Sequence, residues 1–249
     1  MSDGRGAGGR MPSISVIITA YNNRGHIPDA IASVRSQTVL PDEIVVIDDG
    51  STDDTKAILD TLGADIAYHR QANGGEAVAR NSGIANSRCD LLAFLDADDA
   101  WPPGRNALLL EGFARTPSLE IVCGRARTFA GEEWTAALTP APHRLEAVVM
   151  SFGAALIRRS VFERIGGLDP AIGLTTDFDW FMRCREQSVA TAIVDDVTLL
   201  YRRHFGTLSR NVAGARAGLS RTIKLSLDRR RSAGDAKPLP RWESLGRES

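Results

Sequence analysis

The segment EIVVIDDGSTDDT, residues 43–55, carries the pattern that decides the fold. Its opening EIVVI (43–47) is rich in β-branched residues and lacks polar alternation, which is typical of a strand buried on both faces. Asp48-Asp49-Gly50 then turns the chain, and Ser51 is placed to cap the next helix with Asp54 as its capping-box partner. A buried strand, an acidic turn and a helix therefore form one unit.

The same unit recurs on both sides of this segment. Upstream, ISVIIT (14–19) predicts a buried strand, and downstream LLAFL (91–95) predicts another. Further strands are predicted at residues 66–69, 119–123, 154–158 and 198–202, and helices near 26–37, 53–62, 74–86, 104–115 and 176–187. Strands that alternate with helices in this way predict an α/β fold, with a doubly wound, mostly parallel sheet and helices on both faces. Residues 125–150 break the pattern, and we expect an irregular insertion there.

The composition is that of a globular protein. The 249 residues are 43% hydrophobic and 24% charged, and the formal net charge is −1, so no global field indicates a nucleic-acid partner. Cys89, Cys123 and Cys184 form no CxxC pair, which favours a reducing compartment over disulfides or a thiolate zinc site. The apolar runs fall short of the ~18 residues of a spanning helix, and residues 1–10 lack the apolar core of a signal peptide. We therefore expect a cytoplasmic protein.

Carboxylates follow the two predicted strands that lie on either side of the first strand. In strand order 3-2-1-4 a ligand binds beyond the carboxyl ends, where the order reverses between the first and fourth strands. The second strand ends in Asp48-Asp49 and the fourth in Asp96-Ala97-Asp98-Asp99, so five carboxylates are expected at one crevice. Two carboxylates ~4 Å apart repel by ~4 kcal/mol at an effective dielectric of ~20, so Mg²⁺ or Mn²⁺ should lie among them. Such an ion is completed by waters and substrate phosphates, which predicts a diphosphate ligand.

Aspartates also serve as helix caps and turn formers. That interpretation is favoured for Asp53, Asp54 and Asp60. It is not favoured for Asp96 and Asp98, because this pair follows a buried strand at the predicted reversal of strand order.

Six segments, in this order, resemble the family 2 glycosyltransferases of the GT-A fold. They are TAYN (19–22), IDDGSTDDT (47–55), NGGEAVARNSG (73–83), FLDADDAW (94–101), RRSVFERIGGLD (158–169) and TDFDWFMR (176–183). The resemblance covers residues 13–205, and it implies a nucleotide-sugar-binding half (13–124) and an acceptor half (125–205). A disordered tail (1–12) is expected before this domain, and a basic helix with a loose tail (206–249) after it.

The resemblance implies donor-side roles at the matching positions. Tyr21 would stack on the nucleotide base, Asp49 would accept a hydrogen bond from the base, and Thr19 would contribute backbone contacts. Arg80 would lie near the diphosphate, and Asp96 would face the ribose and the donor sugar. On sequence alone, Tyr21 could also be a packing residue at a strand end, and Arg80 could be a structural partner of the carboxylates, a role that is compatible with the functional one.

The resemblance also implies a divalent metal, Mg²⁺ or Mn²⁺. Asp98 or Asp99 would hold it, and the sequence does not decide between the two. His204 would approach the diphosphate or the metal, and its alternative is a surface histidine in a basic stretch.

The candidate catalytic base lies at a helix start. In the family an aspartate, usually preceded by glutamate, takes the proton of the acceptor hydroxyl in an inverting transfer. The matching pair here is Thr176-Asp177, so Asp177 is the candidate although threonine replaces glutamate. Asp179 is the rival carboxylate. Residues two apart on a helix do not share a face, so Asp177 and Asp179 cannot both point at the acceptor. Stabilisation of the helix start is the alternative role of Asp177.

The expected activity is transfer of a sugar from a nucleotide-diphosphate donor, a UDP-sugar, to a hydroxyl of a glycan or lipid-linked precursor in cell-envelope polysaccharide synthesis. Two alternatives remain. A sugar-phosphate nucleotidyltransferase has a similar fold, but it usually opens with a glycine-rich loop and a lysine where this chain has Tyr21-Asn22-Asn23-Arg24. A nucleotide-sugar-binding pseudoenzyme is suggested by the threonine at position 176.

The C-terminal region is basic. From Arg202 to Arg231 there are nine Lys or Arg residues against one acid, Asp228. A helix near 213–229 would place four apolar residues on one side, namely Val212, Leu219, Ile223 and Leu227. This pattern suits weak peripheral contact with anionic lipid at the inner membrane face. It equally suits packing on the catalytic domain, since the helix lacks the Trp or Phe of many interfacial helices.

Overall fold

The computed structural model describes residues 11–129, 146–148, 151–202, 212–234, 239 and 243–245. The strands in these residues are β1 (Ile14–Ala20), β2 (Glu43–Asp48), β3 (Ile66–Arg70), β4 (Leu91–Asp96), β5 (Ile121–Phe129), β6 (Glu146–Val148), β7 (Ala155–Arg158), β8 (Thr191–Arg202) and β9 (Glu243–Leu245). The α-helices are α1 (Ile27–Arg35), α2 (Thr55–Thr61), α3 (Glu76–Asn86), α4 (Arg105–Arg115), α5 (Arg159–Ile165), α6 (Thr176–Glu186) and α7 (Val212–Ser232).

These strands form one sheet in the order β3-β2-β1-β4-β7-β5-β8-β9, with β6 paired to β5. β1 is parallel to both β2 and β4, and β2 is parallel to β3, so the expected reversal between β1 and β4 is confirmed. β7 runs antiparallel to β4 and β5, whereas β8 is parallel to β5 and β9. The predicted mostly parallel α/β sheet is therefore confirmed.

The central strands contact a helical layer on each face, which explains their continuous apolar sequences. Val16 and Ile18 of β1 join the core that contains α1, α2 and α4. Ile17 joins Leu92 and Phe94 of β4 in the opposite core, which contains α3, α5 and α6. All five side chains are at most 1% exposed, and burial of each stabilises the fold by about 1.5–3 kcal/mol. The prediction of helices on both faces is confirmed.

Helix α3 lies very close to the sheet because of one glycine. A Cβ atom on Gly83 would lie 2.2 Å from Cγ2 of Ile17, so only glycine permits this approach. Arg80 lies one helical turn earlier on α3, and the close contact brings its side chain within reach of the end of β4.

Two strands in the second half are longer than the sequence pattern predicts. β5 continues to Phe129 instead of ending at residue 123, and β8 begins at Thr191 instead of residue 198. Charged residues interrupt the apolar pattern in both extensions, and Arg125 of β5 pairs with Asp195 of β8 across the sheet at 2.6 Å. The part of the expected insertion at residues 130–145 and 149–150 lies outside the described residues.

The loop after β2 also differs from the prediction. α2 begins at Thr55 with Asp54 at the N-cap position, so the capping box assigned to Ser51 and Asp54 is wrong. Ser51 instead donates its backbone N–H to Asp48 Oδ1 at 2.7 Å, and its hydroxyl oxygen accepts the N–H of Asn22 at 2.9 Å. Ser51 therefore ties the loop after β1 to the loop after β2.

The C-terminal helix predicted near 213–229 is present as α7, but its apolar side faces outward. Leu219, Ile223 and Leu227 are 42%, 45% and 38% exposed. β9 pairs with β8, so the prediction of a loose tail is wrong for residues 243–245. None of the helices in the described ranges is both long and apolar enough to cross a membrane. His204 and the first ten residues of the expected N-terminal tail lie outside those ranges.

Candidate active site

Three strands end side by side at one edge of the sheet. The register of β1 sets Thr19 opposite Asp96 of β4 and sets Ala20 opposite Asp48 of β2. The Thr19 hydroxyl donates to Asp96 Oδ1 at 3.1 Å, and the Thr19 carbonyl accepts the N–H of Ala97 at 3.0 Å. Tyr21 follows β1 and is 49% exposed, so its ring is open to a ligand.

One buried guanidinium joins the carboxylates at this edge. Arg80 is 2% exposed, and its Nη2 lies 2.9 and 3.1 Å from the two carboxylate oxygens of Asp96. The same guanidinium also pairs with Asp177 of α6 and with Glu76 of α3. The ring of Phe152 lies 5.4 Å from Arg80 Cζ. We call Glu76, Arg80, Asp96 and Asp177 the crevice cluster.

Negative charge exceeds positive charge within the crevice cluster. Partial burial raises the pKa of Asp177; Arg80 opposes this effect, whereas Asp96 reinforces it, and the net pKa lies above the ordinary aspartate value. Arg80 likewise lowers the pKa of Glu76, but lost hydration and the charges of Asp96, Asp177 and Asp98 raise it by more. Burial opposes the charge on Arg80, but these carboxylates raise its pKa, so it stays positive. A carboxylate with a raised pKa is better matched to proton abstraction near neutral pH.

Two members of this environment carry no motif signal that marks them. Glu76 lies four residues before Arg80, which is the spacing of an ion pair on one helix face, and that spacing could have identified it. Phe152 comes from a short 3-10 turn, Phe152–Ala154, whose place beside Arg80 depends on the tertiary fold. Its backbone N–H donates to Asp177 Oδ2 at 3.2 Å.

Asp48 is buried and accepts hydrogen bonds from other residues of the protein. It is 1% exposed and accepts the Tyr68 hydroxyl at 2.6 Å as well as the N–H of Ser51 at 2.7 Å. Burial raises the pKa of Asp48, but the hydrogen bonds from Tyr68 and Ser51 outweigh that effect, so the net pKa is lowered. Asp48 therefore stabilises the loop as a buried anion.

Asp49 holds the glycine loop that precedes α3. Its Oδ1 accepts Gln71 Nε2 at 2.7 Å and the N–H of Gly74 at 2.9 Å, and its Oδ2 accepts the N–H of Gly75 at 2.8 Å. A carboxylate offers about four acceptor positions, so one remains for the predicted contact with a nucleotide base. That contact stays a prediction.

The aspartates that follow β4 differ in accessibility. Asp99 is 3% exposed and accepts the backbone N–H of Arg202 at 2.8 Å. Burial, together with the charges of Asp98 and Asp96, raises the pKa of Asp99 well above its usual range. Asp98 is half-buried, and its backbone carbonyl accepts Arg202 Nε at 2.8 Å.

Arg202 is a positioning residue that its sequence context does not reveal. It ends β8, is fully buried, and also donates from Nη2 to Asp29 Oδ2 at 2.8 Å. Its guanidinium lies 4.9 Å from the ring centre of Phe129. Because Arg202 contacts both aspartates that follow β4, it fixes the backbone from which Asp98 extends.

Three of the five aspartates that are expected at the crevice are buried. Asp48, Asp49 and Asp99 are each 4% exposed or less and are hydrogen-bonded internally. Asp96, whose side chain is 34% exposed, and Asp98 retain access. Carboxylates from α3 and α6 join them, and backbone periodicity alone does not predict this convergence.

The carboxylates at the crevice fit a hard divalent cation that takes most of its ligands from a bound phosphate and from water. Among the described residues, no group of three or more His, Cys, Asp or Glu side chains is arranged to hold a metal ion. Mg²⁺ and Mn²⁺ accept one or two carboxylates and complete their shells with phosphate oxygens and water. Burial raises the pKa of Asp99, and the negative charges of Asp98 and Asp96 raise it further; a cation would relieve this second contribution. The predicted role of His204 is not tested by the described residues.

Helix α6 directs its two candidate bases to different surroundings. Asp177 pairs with Arg80 and has a side chain that is 20% exposed. Asp179 is 2% exposed and lies between Arg183 Nε at 3.0 Å and Arg229 Nη1 at 3.1 Å. Asp177 thus belongs to the crevice cluster, whereas Asp179 is buried in the contact between α6 and α7.

An acidic crevice at the reversal of a 3-2-1-4 sheet, followed by a mixed second half, defines a GT-A-type fold. Mannosyltransferase PcManGT from Pyrobaculum calidifontis, in complex with GDP-Man and Mn²⁺, has a TM-score of 0.66 at 19% identity and covers 93% of this chain and 67% of its own. S. aureus TarS in complex with UDP has a TM-score of 0.61 at 16% identity and covers 77% of this chain and 60% of its own. These likenesses show a shared fold.

The chain belongs to glycosyl transferase family 2, whose sequence profile matches residues 15–166. An uncharacterized glycosyltransferase of Nostoc sp. is 34% identical over 179 residues, which are 63% of this chain and 54% of the relative. One from Rickettsia typhi is 29% identical over 197 residues, which are 72% and 60%. The putative teichuronic acid biosynthesis glycosyltransferase TuaG of Bacillus subtilis is 39% identical over 94 residues, which are 36% and 37%. The chain thus matches between about half and three-fifths of the length of the first two relatives.

Proposed function

We propose that this chain is an inverting glycosyltransferase that moves a sugar from a nucleoside-diphosphate donor to a hydroxyl acceptor. The observation that carries the proposal is the bridge that Arg80 makes between Asp96 at the end of β4 and Asp177 at the start of α6. One guanidinium thereby holds a donor-side carboxylate and a candidate base at the same crevice.

The donor would bind across the ends of β1 and β4. Tyr21 offers an exposed ring for stacking on the base, and Asp49 has an acceptor position left for a base N–H. Asp96 would face the ribose and the sugar while Thr19 and Arg80 hold its carboxylate in place. UDP is the proposed nucleotide.

In the reaction, Asp177 takes the proton of the acceptor hydroxyl. The acceptor oxygen forms a bond to the anomeric carbon from the face opposite the leaving group. The bond from that carbon to the diphosphate oxygen breaks, and the nucleoside diphosphate leaves with the bonding electrons. The raised pKa of Asp177, which burial and Asp96 cause and Arg80 opposes, favours proton uptake by its carboxylate.

A divalent cation, Mg²⁺ or Mn²⁺, is proposed to bind at Asp98 and the donor diphosphate. When bound, it would neutralise charge on the leaving diphosphate. Asp98 is the better candidate ligand than Asp99, because Asp99 is buried and accepts the N–H of Arg202. His204 remains a proposed contributor.

The proposed acceptor is a hydroxyl of a glycan or lipid-linked precursor for envelope polysaccharide. The name of the relative TuaG, which refers to teichuronic acid biosynthesis, supports this class of acceptor. The sugar itself is left to experiment, because donor choice depends on pocket side chains that no motif encodes.

A donor panel tests the proposal. The full chain is incubated with UDP-sugars and GDP-sugars, Mn²⁺ and a bacterial envelope extract, and release of nucleoside diphosphate is measured together with acceptor labelling. Donor-dependent release and labelling would support transfer. Thermal stabilisation by donor without release would indicate a pseudoenzyme, and pyrophosphate formed from a nucleoside triphosphate and a sugar phosphate would indicate a nucleotidyltransferase.

The metal proposal has its own measurement. Calorimetry should give UDP affinity at least ~10-fold higher with Mn²⁺ than with EDTA, because the cation screens phosphate from the crevice carboxylates. Asp98→Ala should remove that difference, whereas Asp54→Ala, at a side chain that is 74% exposed, should preserve it. Equal UDP affinity with Mn²⁺ and EDTA would contradict the proposal.

A further inference from the structure

We propose that the outward face of α7 is a docking surface for an anionic lipid bilayer. This docking face is formed by Leu219, Ile223 and Leu227, and Leu174 comes directly before Thr175, which contacts α7. The test of the proposal does not depend on glycosyl transfer.

The polarity of α7 is the reverse of that of an ordinary surface helix, which turns its apolar side inward. The inward residues Thr222 and Ser226 are at most 1% exposed, and Gly218 is buried beside them. The outward residues Leu219 and Ile223 are 42% and 45% exposed. An apolar stripe of this kind on the outside of a helix indicates an interaction surface.

The charges around the docking face are positive. Lys224 and Arg231 are exposed on α7, three residues before and four residues after Leu227 and therefore on the same side of the helix, and Asp228 is the acid of the described helix. Lys and Arg side chains can extend their alkyl stems along an apolar surface while their charges reach anionic headgroups. A second copy of this chain would instead bring like charges together across a two-fold interface. Charge complementarity therefore favours an anionic bilayer as the occupant.

The docking face extends toward the start of α6. Leu174 is 44% exposed, and the next residue, Thr175, lies 3.2 Å from Thr222 between their Oγ1 atoms. A Cβ atom on Gly218 would lie 2.7 Å from Thr175 Oγ1, so glycine allows α7 to approach closely. A further exposed apolar side chain, Leu174, therefore adjoins a residue that packs on α7.

α7 is also fastened to the body of the protein. Arg229 donates to both carboxylate oxygens of Glu186 at 2.7 and 3.0 Å, and to Asp179 at 3.1 Å. Because α6 carries both acids as well as Asp177, a bilayer that binds α7 would hold the crevice cluster in a set orientation. If the proposed function is correct, that orientation presents the crevice to acceptors carried in the membrane.

Vesicle co-sedimentation of the full chain tests the proposal. Vesicles of phosphatidylcholine with phosphatidylglycerol should pellet the protein at low salt, and high salt should release it because exposed charges are screened. Vesicles of phosphatidylcholine alone should pellet much less. The combined variant Leu219→Ser, Ile223→Ser, Leu227→Ser should bind at least ~10-fold more weakly, because apolar area is no longer buried in the bilayer.

Matched variants separate this surface from general effects. Leu40→Ser changes a side chain that is 60% exposed elsewhere on the protein and should leave binding unchanged. Lys224→Glu with Arg231→Glu should weaken binding to anionic vesicles, whereas Arg115→Glu on α4 should not. Thermal melting establishes that each variant is folded, and the charge variant provides an independent test if the serine variant does not fold.

Three results would overturn the proposal. They are absence of pelleting with anionic vesicles at low salt, equal pelleting of wild type and both α7 variants, and a dimer in solution that the serine substitutions convert to monomer. The last result would assign the docking face to a second copy. UDP release is measured separately, so loss of lipid binding and loss of transfer remain distinguishable.

Discussion

Helix α6 takes part in two arginine–carboxylate networks that differ in charge balance. In the crevice cluster, Arg80 faces the carboxylates of Glu76, Asp96 and Asp177. In the second network, which we call the α6–α7 clamp, Arg183 and Arg229 face Asp179 and Glu186. Among the described residues, the first network thus has one cation for three acids, and the second has two cations for two acids.

The difference in charge balance distinguishes the crevice cluster, which is the candidate active site, from the α6–α7 clamp, which holds two helices together. Burial and Asp96 raise the pKa of Asp177 although Arg80 opposes them, so negative charge in the crevice remains under-compensated. Burial lowers the pKa of Arg229, but Glu186 and Asp179 raise it by more, so Arg229 stays positively charged. Perturbed acids in a cleft are candidates for catalysis, whereas a balanced buried network holds elements together.

The sharpest test of this comparison exchanges one acid in each network. Asp177→Asn should fold and bind donor yet lose transfer by at least ~100-fold, the lower range for loss of a general base. Asp179→Asn should keep most of its turnover in the folded fraction, because its carboxylate contacts Arg183 and Arg229 instead of the crevice. Steady-state UDP release and acceptor labelling give both rates.

Circular dichroism and donor-dependent thermal shifts serve as controls for this pair of variants. If Asp179→Asn is the inactive folded variant and Asp177→Asn keeps its rate, the assignment of the base is wrong.

The next largest effect should be on stability and should come from the clamp. Arg229→Met should lower the free energy of unfolding by about 2–3 kcal/mol, because the buried carboxylates of Asp179 and Glu186 lose charged hydrogen bonds. Arg24→Met is the matched control, since its pair with Asp54 has side chains that are 64% and 74% exposed. Urea unfolding should show a change of less than ~0.5 kcal/mol for that surface pair. Equal losses for both variants would remove the distinction between clamp and surface.

The part of the crevice at the ends of β1, β2 and β4 can be predicted from sequence, because the local pattern of apolar runs determines it. β1, β2 and β4 are short apolar runs, and the residues that follow them must meet at one edge once the strands are parallel and adjacent. Thr19 and Asp96 are therefore predictable neighbours, and the structure sets them opposite each other in register. The same local reasoning does not specify which carboxylates are turned inward, and Asp49 and Asp99 are buried.

The part of the crevice to which α6 contributes is less predictable, because long-range contacts determine it. Arg80 and Asp177 pair across 97 positions of sequence, and Phe152 reaches them from a third segment. The apolar residues of α7 suggest an inward face, yet Thr222 and Ser226 are the ones buried, because Gly218 and Thr175 allow a close polar contact there. Helical periodicity predicts that these apolar residues share one side of α7, but it does not predict whether that side packs on the rest of the protein.

The third prediction uses pH to compare the networks. Asp177 must be ionised to accept a proton, so the transfer rate should rise with pH through a window above the ordinary aspartate value of 3.8. Its folded-state pKa lies above its unfolded-state pKa, so the folded state binds the proton more tightly, and its contribution to stability is present at low pH and lost as pH rises. Chemical unfolding across pH should show Asp177→Asn with a flatter dependence in this window.

Asp179→Asn is the control for the pH prediction and should retain the wild-type rise in rate. A rate profile that Asp177→Asn leaves unchanged in shape would show that another group governs the pH dependence.

The smallest expected effect is on acids outside both networks. These acids show how much a carboxylate that makes only local hydrogen bonds contributes to the free energy of unfolding. Asp53 Oδ1 accepts the N–H of Thr55 at 3.0 Å, and its Oδ2 accepts the N–H of Arg24 at 3.2 Å, so it holds the start of α2 and the loop after β1. Asp53→Ala should therefore cost about 1 kcal/mol of unfolding free energy, the usual cost of losing a cap, while donor binding persists. Asp54→Ala should cost less, although Asp54 occupies the N-cap position, because its side chain makes no capping hydrogen bond. Urea titration of the two variants measures the difference. If Asp53→Ala lowers the free energy of unfolding as much as Arg229→Met does, hydrogen bonds to backbone N–H groups stabilise this protein as strongly as the α6–α7 clamp. Charge balance would then no longer distinguish the clamp from an ordinary loop.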